Sequence, residues 1–424
     1  MLVRYKQDEK GKSVAFANIY TPNEHHINPA MIDRDAVWAV RKLQASGAEA
    51  YLVGGAVRDL LLGLVPKDFD ITTSASPRQI QRLFWNARII GKRFKLVHLV
   101  FNNKILEVST FRSGSDTTDG SNNVFGSVDQ DAKRRDFSIN SLYYDPSNGQ
   151  LLDFNHAMED FKHKRITSII DLNTSFEEDP VRMIRAIKYS VTTGFRLRMN
   201  ICMAIRKYSN ELSRTSTSRL TEEVSKILAS GRCCEIFTAL GRYKLLVYML
   251  PCFSIYCKYE KEKQSLRSLD KKVLLSKNGK GPEVSLADML VALVDPLIVF
   301  SSEELTAEER FRETYRQIKV LISPMTPSNY EVEAASLHLL SEHGYKPVVN
   351  NKRTTRPAHR LSAKRPGSRR KRSGEFSATR KKQKTQGETE IAVPTEKEAG
   401  SSAEVHDLLS TPLLNLDINR GHKY

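Results

Sequence analysis

Apolar residues recur at three-to-four spacing over 28–46 (Ile32, Val37, Val40, Leu43), and the run stops at Gly47, which predicts a leading helix. The twenty or so residues before it read as polar and irregular. After it, Ala50-Tyr51-Leu52-Val53 is a short apolar strand closed by Gly54-Gly55, and 56–62 continues as a short helix ending at Gly63. Residues 67–73 alternate, with Phe69 and Ile71 on one side and Asp68 and Asp70 on the other, as a half-buried strand does. Further strands are predicted at 89–90, 96–101 and 105–111. Beyond about Asp160 the period becomes helical, at 180–189, 219–230, 235–250, 286–299 and 306–322. The fold class is α+β first and all-α afterwards.

A chain of 424 residues holds more than one core. The pattern divides it into an N-terminal extension (1–27), an α+β domain (28–160), a helical neck (161–250), a helical body (251–345) and a tail (346–424). The net charge of +17 is unevenly placed. Residues 351–384 carry 14 Lys or Arg against one Glu, whereas 385–424 have three basic and seven acidic residues. The tail lacks core-forming residues and is expected to be disordered. Its basic part suits a polyanion and its acidic end a solvated segment. No run of eighteen apolar residues and no secretory signal pattern is visible, so the chain reads as cytoplasmic with no membrane partner. Five cysteines (Cys202, Cys233, Cys234, Cys252, Cys257) show no C-x-x-C spacing and are expected to be reduced thiols.

The candidate chemistry lies in four places. Asp68 and Asp70, two apart, would project from one strand face and bind hard divalent cations through carboxylate oxygens. Just upstream, Gly54-Gly55 turns a strand into a helix, leaving backbone N–H groups for phosphates, with Arg58 one turn on. Glu107, sharing a face with Ile105 and Ser109, and Asp136, in Arg134-Arg135-Asp136-Phe137-Ser138-Ile139-Asn140, are candidates for a third carboxylate. Arg135 suits phosphate contacts. In Glu178-Asp179-Pro180-Val181-Arg182, Asp179 reads as a helix cap followed by proline. Asp179 and Arg182 would then present an acceptor and a donor to a base edge.

Taken together, YLVGGAVRDLLLG, KDFDITTSASP, RRDFSINSLYYDP and EDPVRMIRAIKYS resemble the class II tRNA nucleotidyltransferase and poly(A) polymerase family, over roughly 28–247. The resemblance implies a polymerase β-like nucleotidyltransferase head followed by an all-α neck and body. It implies metal-binding catalytic roles for Asp68 and Asp70, an active-site role for Asp136, triphosphate and sugar contacts at Gly54, Gly55, Arg58 and Arg135, and base recognition by Asp179 and Arg182. Glu107 matches an acidic position of the same sheet. Two Mg²⁺ ions, ATP as substrate and RNA 3′ ends as acceptor follow, with RNA-decay proteins as partners of the tail. The stretch 88–98 and the basic extension resemble bacterial poly(A) polymerases more than CCA-adding relatives. The expected reaction is addition of AMP to RNA, with CCA addition to tRNA as the alternative and non-catalytic RNA binding as the second.

Overall fold

The computed structural model describes residues 2–7, 11–91, 96–102, 104–113, 125–301 and 304–345. The expected disordered tail at 346–424 lies outside the described residues, as does part of the 88–98 stretch.

The first half is organised by a nine-stranded sheet. Its strands are β1 (Leu2–Gln7), β2 (Ser13–Tyr20), β3 (Ala50–Val53), β4 (Asp70–Thr73), β5 (Ala87–Ile90), β6 (Leu96–Val100), β7 (Ile105–Thr110), β8 (Leu142–Asp145) and β9 (Gln150–Asp153). They lie in the order β1-β2-β9-β8-β3-β4-β7-β6-β5. β3 is antiparallel to both β8 and β4, and β4 pairs β7 in parallel. Because alternate residues face opposite sides, β3 feeds two cores. Leu52 packs with Val40, Leu43 and Ile71 under the helices on one face, while Tyr51 and Val53 join Phe111, Tyr143 and Leu152 on the other.

The second half is helical around one continuous core running from Phe137 to Leu339. Phe137 and Ile139 come from the Arg134–Asn140 segment and are buried in this helical core, not in the sheet's cores. The sheet and the helices are thereby joined at that segment. A separate two-stranded parallel ladder, β10 (Arg165–Ile166) with β11 (Arg196–Leu197), lies within this second half.

Several expectations are corrected. The first twenty residues are not irregular: β1 and β2 extend the sheet, β2 by pairing with β9 through Asn18, Ile19 and Tyr20. The leading helix is shorter, Arg34–Ala45, because Asp33 caps it by accepting from the Asp35 and Ala36 N–H groups. The strand expected over 67–73 begins only at Asp70, so Asp68 lies in the connection before it. The helix expected over 235–250 is broken into Cys233–Arg242 and Leu246–Met249, with Lys244 at a positive φ between them. The one over 286–299 stops at Val294, ahead of Pro296. One helix not among those expected, the 18-residue Glu260–Lys277, lies between them, and its buried positions Leu266, Leu269 and Val273 keep helical spacing amid lysines and glutamates. The five cysteines are free, and no described helix is long and apolar enough to cross a membrane.

Candidate active site

Where the sheet meets the helices there is a cleft of about 670 Å³, lined by nine Arg or Lys and six Asp or Glu side chains. Its floor is the carboxyl end of β3 with the start of β4 and β7. Gly54 follows β3 at φ 75°, ψ −134°, a conformation that L side chains rarely adopt. A Cβ there would stand 3.7 Å from both Asp70 Oδ2 and Arg135 Nη1, and one at Gly55 would stand 3.5 Å from Arg58 Nη2. The backbone turn thus lies directly over an acid and two guanidinium groups, with the space that a side chain would fill left open.

Asp70 is the register partner of Glu107 across the parallel β4–β7 pair. Water reaches Asp70, yet protein surrounds it at the base of the cleft. Burial, then the charges of Glu107 and Asp68, raise its pKa to about 6 against the pull of Arg135. Glu107 in turn has His98 Nε2 at 3.6 Å, its register partner on β6. Asp68 is exposed and does not line the cleft, although its charge is felt at Asp70.

The basic wall is held by a buried acid. Asp131, with no exposed side-chain surface, accepts from Arg134 Nε at 2.9 Å, Arg135 Nη2 at 3.1 Å and the Tyr143 hydroxyl at 2.8 Å. Burial favours its neutral form, but Arg135, Arg134 and the Tyr143 hydroxyl keep its pKa below the usual carboxylate value. For Arg135 burial opposes the charge, and Tyr143 and Asp131 outweigh it. Arg58 donates to Asp59 at 2.7 Å and to Asn140 Oδ1 at 2.9 Å, and it lies over the Tyr189 ring.

Asp136 is buried at the seam. Its Oδ1 accepts from the Phe137 N–H at 2.8 Å, and its Oδ2 is 2.9 Å from Arg185 Nη2 on the helix Val181–Thr193. Asp179 ends the helix Leu172–Glu178, accepts from the Val181 N–H at 3.3 Å, and pairs with Arg219 at 2.8 Å. Arg182 donates to the Ser175 carbonyl and hydroxyl at 3.2 Å. Both line the cleft, each held by a different partner.

Nine of the ten candidate residues therefore share one cleft and Asp68 stands beside it. The sequence reading did not single out Arg185, Lys188, Tyr189, Arg219 and Lys226, which also line it. Arg185 and Lys188 continue the i+3 spacing from Arg182 and were legible on that ground. Arg219 and Lys226 lie on another helix, Thr217–Leu228, and only packing brings them in.

A basic cleft with adjacent carboxylates under a glycine turn offers cations and backbone N–H groups to an anionic ligand. Residues 50–167 match the poly A polymerase head domain, and residues 194–256 match the probable RNA and SrmB-binding site of polymerase A. The chain thus carries a head domain of the poly A polymerase type, and the proteins it is similar to include both poly(A) polymerases and CCA-adding enzymes. It is 37% identical over 253 residues to poly(A) polymerase I of Haemophilus influenzae, covering 56% of each chain. It is 34% identical over 218 residues to the CCA-adding enzyme of Geobacillus kaustophilus, covering 50% of this chain and 54% of that one. The chain thus spans little more than half the length of these relatives. A solved tRNA nucleotidyltransferase, complexed with a primer tRNA and an incoming ATP analog, shares the fold. There the TM-score is 0.50 and the identity 24%, covering 72% of this chain and 83% of that one.

Proposed function

We propose that this protein is a poly(A) polymerase that adds AMP from ATP to RNA 3′ ends without a template and releases pyrophosphate. The observation that carries the reading is the stacking of the Gly54-Gly55 turn over Asp70 and Arg135, beside Glu107. The turn, Arg58 and Arg135 would hold the triphosphate, whose charge matches the excess of cations in the cleft. Asp70 would face the α-phosphate and the attacking 3′ hydroxyl. Asp179 and Arg182, fixed by Arg219 and Ser175, would meet the base edge.

Magnesium fits this donor set. Two adjacent carboxylates, Asp70 and Glu107, raise each other's need for a cation, and Asp68 lies close enough to add charge. Among the described residues no cluster of three or more His, Cys, Asp or Glu side chains is gathered for a metal. Mg²⁺ uses one or two carboxylates and completes its shell with water and substrate phosphates, and Asp70 with Glu107 would supply that number. When bound, paired Mg²⁺ ions would lower the charge cost at the transferring phosphate and the pKa of the attacking hydroxyl. The acceptor would be RNA, in keeping with the segment matched at 194–256.

The test is to replace Asp70 by Ala and follow labelled ATP on an oligoadenylate primer with Mg²⁺. Loss of incorporation supports the reading, and wild-type activity in the variant overturns it. A second reading, CCA addition, is favoured by the 34% identity to a CCA-adding enzyme. A tRNA lacking its CCA end, offered with CTP and ATP, separates the two: long adenylate tracts support the first and a stop after CCA the second.

A further inference from the structure

A second groove, of about 730 Å³, lies on the helical half between the helices Cys233–Arg242 and Glu260–Lys277. Lys263, Arg267 and Lys271 line it from one helix, and Arg232 and Arg242 from the other side. Their spacing is regular: residues four apart share a helix face and are separated by about 6 Å along the axis. That repeat is of the order of the distance between neighbouring phosphates along an extended nucleic-acid strand.

The groove's two carboxylates, Glu235 and Asp270, offset only part of this charge and leave five cations against two anions. Asp270 gives both oxygens to the helix start opposite, accepting from the Cys233 N–H at 2.7 Å and the Cys234 N–H at 3.1 Å. Glu235 pairs with Arg232 at 2.6 Å in an exposed contact, and Arg267 pairs with Glu260 at the surface. Exposed pairs of this kind contribute about 0 to 1 kcal/mol and exchange readily for a phosphate.

The groove also adjoins the cleft. Val191 lines the groove, while Lys188 and Tyr189 of the same helix line the cleft, and that 13-residue helix is only about 20 Å long. Residues 263–271 lie beyond the segment matched as an RNA-binding site.

Resting on the RNA-transferase reading of the cleft, we infer that this groove is an upstream track for single-stranded RNA. Lys263, Arg267 and Lys271 engage successive backbone phosphates, a few nucleotides back from the 3′ end held at Asp70. Contacts to phosphate alone give affinity without sequence preference. An acidic peptide segment, such as the acidic end of this chain, would be the competing occupant.

The experiment uses the full chain with K263A/R267A/K271A, all at positions with solvent exposure, and K263Q/R267Q/K271Q as a second variant that keeps side-chain length. Nucleotide incorporation is measured on an RNA of about twenty nucleotides and on a trinucleotide too short to reach the groove. The expected result is a KM for the long RNA raised about tenfold or more in both variants, with trinucleotide kinetics unchanged. The log–log salt dependence of long-RNA binding should fall by roughly 2, the share of three phosphate contacts on a single strand. Equal KM values for the long RNA, or a lower one in the variants as release of an acidic segment would give, overturn the track. Absence of incorporation by the unaltered chain on either primer would instead overturn the reading of the cleft, and salt-dependent binding would still decide the groove.

Discussion

Asp70 and Glu107 are register partners on neighbouring parallel strands, so two carboxylates share one end of the sheet beneath the Gly54-Gly55 turn. Their proximity is unfavourable without a cation, and it adds to burial, the larger cause, in raising the pKa of Asp70 from 3.8 to about 6. The fold therefore favours protonated Asp70. Stability from this group is complete below about pH 4 and is lost as pH rises through 6. In chelator-treated protein, Asp70→Asn should raise thermal stability at pH 8 by of order 1 kcal/mol, discounted for the water that reaches the carboxylate. The gain should vanish at pH 4, and incorporation should be lost at every pH. Unchanged or lower melting temperature of the variant at pH 8 would contradict the electrostatic account.

Asp131 is the buried counter-charge of the basic wall, and its removal should act through Arg135. Asp131→Asn is expected to raise the KM for ATP about tenfold while the Arg135→Gln variant shows a similar defect. In the double variant the two effects should not add, because residues in one hydrogen-bond network couple. A double-mutant cycle in KM checks this. Full additivity would mean that Asp131 serves the fold and not the orientation of Arg135.

Lys188 and Glu223 tie the helix Val181–Thr193 to the helix Thr217–Leu228 through a 2.6 Å ion pair with little solvent contact on either side. Glu223→Ala strands a buried ammonium and should lower stability by about 3 kcal/mol, read as a shift in the urea midpoint. Lys188→Met with Glu223→Leu should recover most of the loss. Failure of the double variant to recover would show that the pair does more than neutralise itself.

How much of this was legible beforehand depends on the distance over which each signal acts. β3 and the Gly54-Gly55 turn follow from four apolar residues and two glycines, and they lie where the pattern predicts. Asp68 and Asp70 were placed on one strand face because alternation alone cannot mark where pairing begins. β4 starts at Asp70, where pairing with Val53 and Glu107 begins, and Asp68 falls outside. Glu107 gained its place from a parallel pairing across 37 positions of sequence, which no local pattern encodes. β1 and β2 pair with each other locally, but they join the sheet only through β9, more than 130 residues from β2, so their place in it is not written in the nearby pattern. The helix Glu260–Lys277 was hidden by its own charge, although Leu266, Leu269 and Val273 carried its period.

Asp179 is the residue whose surroundings bear most directly on nucleotide choice. One oxygen accepts from the Val181 N–H and the other from Arg219, while Arg182 is drawn to the Ser175 carbonyl. If Asp179 and Arg182 read the base edge, its orientation depends on Arg219, which is half-exposed and contributes little to stability. Arg219→Ala should therefore leave the urea midpoint almost unchanged while reducing the preference for ATP over CTP, measured as a ratio of kcat/KM. A fall of about tenfold corresponds to losing one oriented hydrogen bond to the base. Arg219→Lys, which keeps charge but not the planar fork, should recover only part of the discrimination. A preserved ratio in Arg219→Ala would show that Asp179 is oriented by its bond from the Val181 N–H alone, and base choice would then have to be sought in Arg182 and its hold on Ser175.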